Sequence, residues 1–251
     1  MIKVVLLGAG NVAVHLAAAL QSAKNVALIQ RFSRNDKMNG FFDANIPFTT
    51  KLDELQKADV YIIAINDDAI GSFSKKLAPL EGLVVHTSGS VPMMAIDRSL
   101  RKGVLYPVQT FSKGQAIDFS SVPLAIETEL DEDQTLLNQL AASLSDKVFQ
   151  VRSSQREKLH LAAVFANNFS NYMYLMAQDI CDENLISFDI LKPIILETAK
   201  KIMNLGPYMA QTGPAKRKDL KVIEKHLLSL EGEKKEIYGI LSSAISERYQ
   251  S

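Results

Sequence analysis

Apolar and polar positions follow two different rhythms along this chain, and the change of rhythm divides it. In the first part, short β-branched runs end in glycine or polar turns and are followed by helical spacing. Residues 2–7, 26–31, 46–49, 59–65, 82–85, 103–106, 122–127 and 147–151 read as strands. The run at 59–65 is almost continuously apolar, as a strand buried on both faces requires. Helices are expected at 12–20 and 131–145, a helical turn at 52–56, and a helical stretch between Ser90 and Gly103. Strand and helix alternate throughout, which predicts an α/β, doubly wound sheet ending near Arg152.

From Ser153 onward the strand pattern gives way to long helical periodicity. Ser154 with Glu157 three positions later reads as a capping box. With no Gly or Pro to stop it, the helix it opens is expected to run to about Asp182. A second helix is expected at 188–204, with Pro193 kinking it or marking its effective start, and Gly206-Pro207 ends it. A turn-rich, cationic loop at 211–219 and helices at 220–230 and 234–248 complete an all-α second domain. The expected domains are therefore 1–152 and 153–251.

The first strand runs straight into Gly8-Ala9-Gly10, and a helix follows at once. This strand, glycine turn and helix with Ala13 in the third small position is a dinucleotide-binding pattern, GxGxxA. Gly8 serves the tight turn, Gly10 lets the backbone approach a pyrophosphate, and Ala13 allows close helix–strand packing. Asn11 and Val12 open the helix, whose N-terminus offers unpaired N–H groups to phosphates. The end of the second strand sets the choice of cofactor. No acid stands there to take a ribose 2′-hydroxyl until Asp36; Ser33, Arg34 and Asn35 come first. Ser33 and Arg34 suit a 2′-phosphate, so NADP(H) is favoured over NAD.

Further polar residues gather at the expected C-terminal ends of strands, where open α/β sheets place their ligands. Asn66, Asp67 and Asp68 follow one strand, and Asp67 and Asp68 either order a cofactor-facing loop or cap the next helix. His86-Thr87-Ser88-Gly89-Ser90 follows the next strand, and Pro107-Val108-Gln109-Thr110-Phe111 the one after it. On the long helix, His160, Asn167, Asn168 and Asn171 recur at i, i+7, i+8 and i+11, a polar stripe on an otherwise apolar segment. That stripe either faces the cofactor cleft and binds substrate or makes interhelical hydrogen bonds in a core.

Composition narrows the classes. Lys+Arg and Asp+Glu are equal at 28 each among 251 residues, so no global basic field points to nucleic acid or an anionic membrane. Cys181 is the single cysteine, which excludes an internal disulfide framework and a cysteine-rich metal site; no metal is expected. No apolar run approaches the ~20 residues of a membrane helix. A cytoplasmic protein acting on a small molecule is the expectation.

The segments GAGNVA, FSRN, ADVYIIAINDDAI, HTSGS, YPVQTF, LAAVFANNFSNYMY and QTGPAKRKD, in this order, resemble the superfamily of pyrroline-5-carboxylate reductase and 6-phosphogluconate dehydrogenase. More closely, the chain is similar to a bacterial family described as NADP oxidoreductases of the deazaflavin-dependent type. There a Rossmann-like half precedes a helical domain of unknown function. The resemblance implies an NADP-binding Rossmann domain, a C-terminal domain like that of 6-phosphogluconate dehydrogenase, and a homodimer formed through it. It also implies that HTSGS lines the nicotinamide pocket and that YPVQTF matches a Met-Pro-Asn turn, with Val108 in place of its Asn. By the same resemblance the TGPAKR segment corresponds to a loop closing the substrate site. One departure stands out: hydroxyacid dehydrogenases of the superfamily carry a lysine one turn before an Asn, whereas Ala163 and Val164 precede Asn167 and Asn168 here.

Two functions follow as expectations. One is an NADP(H)-dependent oxidoreductase acting on a small C=O or C=N compound. Asn66 and the Thr87-Ser88 turn would border the nicotinamide, and the proton donor would be His160, His86 or, more weakly, Ser88, with Asn167 and Asn168 beside the substrate. The other is a dinucleotide-binding sensor without chemistry, which the missing lysine favours.

Overall fold

The protein is described from a computed structural model that covers residues 1–34, 45–77, 79–112 and 114–249. It separates into two compact units, Met1–Asn168 and Phe169–Ser251. The division therefore falls after Asn168 rather than after Arg152.

The first unit is built on an eight-stranded sheet in the order β3-β2-β1-β4-β5-β6-β7-β8. Its strands are β1 (Ile2–Leu7), β2 (Val26–Phe32), β3 (Phe48–Thr49), β4 (Val60–Ile63), β5 (Leu83–His86), β6 (Lys102–Pro107), β7 (Leu124–Thr128) and β8 (Val148–Gln150). The strands from β3 to β6 are parallel; β7 runs antiparallel to β6, and β8 is parallel to β7. The order reverses at β1, so the crevice for a ligand opens at the C-terminal ends of β1 and β4.

Alternation along β1 feeds two cores. Val4 and Leu6 pack with Leu16 and Leu20 of α1 (Asn11–Ser22) and with Leu137 and Leu140 of α3 (Asp131–Leu144). Val5 and Leu7 point the other way, toward Leu77, Ile96 and Ile70 of α2 (Ile70–Ser74). Each of these fully buried side chains contributes on the order of 1.5–3 kcal/mol through removal from water. Both faces are covered, as the apolar strands require. The expected helical stretch after Ser90 is reduced to one 3₁₀ turn, Met93–Ala95. Pro92 precedes it, and beyond it the Asp97 carboxylate accepts from the N–H and hydroxyl of Ser99, which holds a turn instead.

The long helix is continuous in sequence but not uniform. α4 (Ser153–Ala163) passes into a π-helical turn, Val164–Phe169, and then into α5 (Ser170–Glu183). Its start lies at Arg152, not Ser154: Gln155 Oε1 accepts the Arg152 N–H at 2.9 Å, while the Ser153 hydroxyl donates to Glu127 at 2.7 Å.

The second unit contains α5, α6 (Lys192–Ala210), α7 (Leu220–Ser229) and α8 (Gly232–Arg248). A 3₁₀ turn at Phe188–Leu191 precedes α6, Pro193 sits in its first turn, and Gly206 (φ 73°) breaks it before a last turn to Ala210. Lys216 of the 211–219 loop is held inside this unit, donating to the Gln211 carbonyl at 2.8 Å and lying 4.8 Å from the Tyr249 ring centre. Among the described residues, no helix is long and apolar enough to cross a membrane.

Candidate active site

In the first unit a cleft of about 820 Å³ opens along the C-terminal edge of the sheet. At its centre is the turn after β1. The Gly8 N–H donates to the Phe32 carbonyl at 2.8 Å, and Gly8 adopts φ +139°. A Cβ there would stand 2.0 Å from the Ala64 carbonyl oxygen, so glycine is imposed by the close approach of β1 and β4 as much as by the turn. Gly10 differs: a Cβ would meet no atom within 4 Å, and the residue lines the cleft. Packing does not demand glycine at that position. Asn11 and Val12 line the same floor, and Ala13 is buried beneath it, where α1 meets the sheet.

One end of the cleft lies beyond β2. Phe32, Ser33 and Arg34 line it together with Ser72, Phe73 and Lys76. Phe73 packs on Phe32 with ring centres 5.7 Å apart, which brings the segment carrying Lys76 to this end. Two cations and a hydroxyl therefore line this end of the cleft together. Asn35 and Asp36 lie outside the described residues.

The other end is bordered by β4, β5, β6 and α4. Sheet neighbours stand about 4.8 Å apart, so the edge of β6 is roughly 19 Å from that of β2. Asn66, Asp67, Thr87, Tyr106, Val108, Gln109, His160, Asn167 and Asn168 line this part of the cleft. The two asparagines sit on the π turn, a wider coil that recurs at functional sites. Asn171 belongs to the second unit and is not among the residues lining the cleft.

Asp67 caps no helix. Its carboxylate accepts the hydroxyl protons of Ser88 at 2.8 Å and Ser90 at 2.7 Å, tying the turns after β4 and β5 together. The Ser88 oxygen also accepts from the N–H groups of Ser90 and Val91, at 3.1 and 3.0 Å. Ser88 is buried and its proton is committed, so it is removed as a proton donor and as a direct cofactor contact.

His86 is likewise removed. It is fully buried and lines no part of the cleft, and Nδ1 accepts the Ser88 N–H at 3.2 Å. That bond places the proton of the neutral ring on Nε2. Burial first, and the nearby Arg156 charge second, lower its pKa to about 4.

His160 does face the cleft, and it is not alone. Its Nδ1 lies 3.1 Å from the hydroxyl of Tyr106, with the rings edge to face at 5.9 Å. Burial, with Asp67 adding to it and Arg156 opposing, raises the pKa of Tyr106. Gly89 makes room for the pair: a Cβ there would stand 2.6 Å from Tyr106 Cζ and 2.7 Å from His160 Nδ1. Sequence reasoning missed Tyr106, because an aromatic residue near a strand end reads as core. It also missed Lys76, one of two lysines in the short helical segment after β4.

The loop after β6 is pinned to α1. Asn11 Nδ2 donates to the Phe111 carbonyl at 2.9 Å, and His15 Nε2 lies 3.1 Å from the Ser112 carbonyl. This fixes Val108 to Phe111 along the wall of the cleft beside the glycine turn.

Comparison with known proteins agrees with the fold. Residues 122–245 match a family described as a domain of unknown function (DUF2520). Over 98% of both chains the protein is 38% identical to a candidate NADP oxidoreductase of Bacteroides fragilis, with a TM-score of 0.88. A protein of Thermotoga maritima is 18% identical over 98% of both chains, at a TM-score of 0.76. A pyrroline carboxylate reductase of Plasmodium falciparum, solved with NADP bound, is 14% identical at a TM-score of 0.59, over 99% of this chain and 97% of its own; these last two similarities concern the fold. A search of the curated proteins finds no match.

Proposed function

This chain belongs to the oxidoreductase-like family that joins a Rossmann-type domain to a helical domain of unknown function, and from that premise we propose that it is an NADP(H)-dependent oxidoreductase of a small C=O or C=N compound. The observation that carries the reading is the polarity of the cleft: phosphate-seeking cations at the β2 end, and a hydrogen-bonded Tyr106–His160 pair with two carboxamides at the β6 end.

In this reading Gly8, Gly10, Asn11 and Val12 admit the pyrophosphate, with the N-terminus of α1 turned toward it. Ser33, Arg34 and Lys76 hold the 2′-phosphate, and Phe32 and Phe73 supply the apolar floor beside it. Asn66, Asp67 and Thr87 border the nicotinamide, and Asn167 and Asn168 orient the substrate. The bound cofactor supplies or accepts a hydride at its nicotinamide ring. The chain's own contribution is to fix the reacting carbon against that ring and to manage one proton.

The same reading takes the protein as a homodimer through its helical unit. Supporting this, Met176, Cys181 and Ala215 are the only buried side chains among the described residues of that unit, while Ile180, Ile194, Leu196, Ile202 and Leu205 are exposed. Apolar helices in this condition need a partner surface, and a second copy is the one always available.

The test is consumption of NADPH by the purified protein with a panel of small aldehydes, ketones, keto acids and cyclic imines. Turnover of any member establishes the enzyme. Tight NADPH binding with no turnover of any member favours a nucleotide sensor instead.

A further inference from the structure

We propose that Tyr106 is the catalytic acid that protonates the substrate, that His160 is the positioning residue which holds and reprotonates it, and that the substrate is accordingly an aldehyde or ketone. This inference rests on the NADP(H) oxidoreductase reading and narrows it.

Position comes first. Tyr106 is the penultimate residue of β6, at the edge where the cleft opens, and its ring lines the cleft although little of it is exposed. His160 approaches from α4, with Nδ1 3.1 Å from the tyrosine oxygen. Both rings lie against the bare face of Gly89, where no side chain fits. Four residues before His160, Arg156 is locked between Glu127 of β7 and the Val91 carbonyl, which fixes α4 against the β5–β6 connection. The pair is thus held from the sheet, the loop and the helix at once, as a proton-transfer site must be.

The other hydroxyls near this end are committed or too weakly acidic. Ser88 gives its proton to Asp67, and Thr87 directs its own toward the Ile63 carbonyl at 3.4 Å. An aliphatic hydroxyl is in any case a far weaker acid than a phenol, whose ordinary pKa is about 10. The charged groups that bear on Tyr106 are Asp67 and Arg156, and the titratable group in contact is His160. Burial first, and Asp67 second, raise the phenol's pKa against the opposing charge of Arg156, so it stands protonated at neutral pH and enters the reaction as a donor.

The chemistry selects oxygen. Hydride delivered to a carbonyl carbon moves the π pair onto oxygen and leaves an alkoxide, a stronger base than tyrosinate. The new O–H bond forms as the Tyr106 O–H bond breaks. Tyr106 recovers a proton from His160 Nδ1 as Nε2 takes one from water, so one NADPH and one proton are consumed and NADP⁺ and an alcohol are released. A protonated imine brings its own proton and leaves a buried neutral acid without a task.

The test combines turnover with a readout that needs none. Benzaldehyde, phenylglyoxal and phenanthrenequinone serve as carbonyl probes and dihydroisoquinoline as the imine probe, each with NADPH. The expected result is reduction of carbonyl probes, a fall in kcat of about 100-fold or more in Tyr106→Phe, and an unchanged NADPH Kd. His160→Ala lowers kcat with KM held, and free imidazole restores part of it. Independently of turnover, alkaline absorbance titration shows Tyr61, Tyr106 and Tyr172 ionising above the ordinary range; the Tyr106 contribution, read from the difference between the parent protein and Tyr106→Phe, is displaced in His160→Ala. The inference is overturned if only the imine is reduced, if NADPH binds but no carbonyl probe is reduced, or if Tyr106→Phe keeps its rate. Failure of NADPH to bind overturns the underlying reading, and this one with it.

Discussion

The guanidinium of Arg156 is buried against the carboxylate of Glu127, joining the first turn of α4 to β7. Arg156 also donates to the Val91 carbonyl at 2.6 Å, and Ser153 donates to Glu127 through both its N–H and its hydroxyl. This cluster sets where His160 stands one turn later. Removing one partner of a buried ion pair strands the other, at a cost of about 3–5 kcal/mol. Arg156→Ala is therefore expected to lower unfolding free energy by that order in urea denaturation. Lys158→Ala, on the exposed face of the same helix, changes it by less than about 0.5 kcal/mol.

The two glycines of the first turn separate stability from binding. Gly8→Ala meets the Ala64 carbonyl and takes a strained φ, so it loses at least about 1–3 kcal/mol, read by thermal or urea unfolding. Gly10 has an ordinary extended conformation (φ −77°) and open space at its missing Cβ. Gly10→Ala is expected to cost less than about 1 kcal/mol of stability. It nonetheless weakens nucleotide binding, because the new methyl enters the phosphate site.

His86 gives the protein a stability that fails in acid. Its folded-state pKa of about 4 lies below the ordinary value of 6.5, so between those values the unfolded chain binds a proton that the native chain does not. Unfolding free energy is then unaffected above about pH 6.5 and falls as the pH drops toward 4. The separation of about 2.5 pH units corresponds to about 3 kcal/mol at 1.36 per unit. Urea unfolding at pH 7 and pH 4.5 measures the drop. His86→Gln flattens that part of the profile.

Much of the framework was legible because it depends on local patterns. The β1–α1 turn, the buried runs of β4 and β5, and the shift to helical spacing are written in consecutive residues. His160, Asn167 and Asn168 do line one cleft, although the two asparagines sit on the π turn rather than on regular helical spacing. What escaped depends on contacts distant in sequence. His86 and Ser88 looked like ligands because they end a strand, but the burial of His86 and the bond from Ser88 to Asp67 are fixed by neighbouring segments. Tyr106 became a site residue only through His160, 54 positions away. The π turn leaves no mark in a 3.6-residue periodicity.

The most direct test of the account is a fluorescence titration of the purified protein with NADPH and with NADH, repeated on Arg34→Ala and Lys76→Ala. Charge-assisted bonds to a phosphate are worth roughly 1.5–3 kcal/mol each, about ten- to a hundredfold in affinity. The account predicts that NADPH binds the parent protein at least tenfold more tightly than NADH. Each substitution weakens NADPH by about that factor and leaves NADH unchanged. Equal affinity for the two cofactors, or no loss in either variant, would contradict the assignment of the β2 end of the cleft to a 2′-phosphate. Absence of binding by both would remove the oxidoreductase reading altogether.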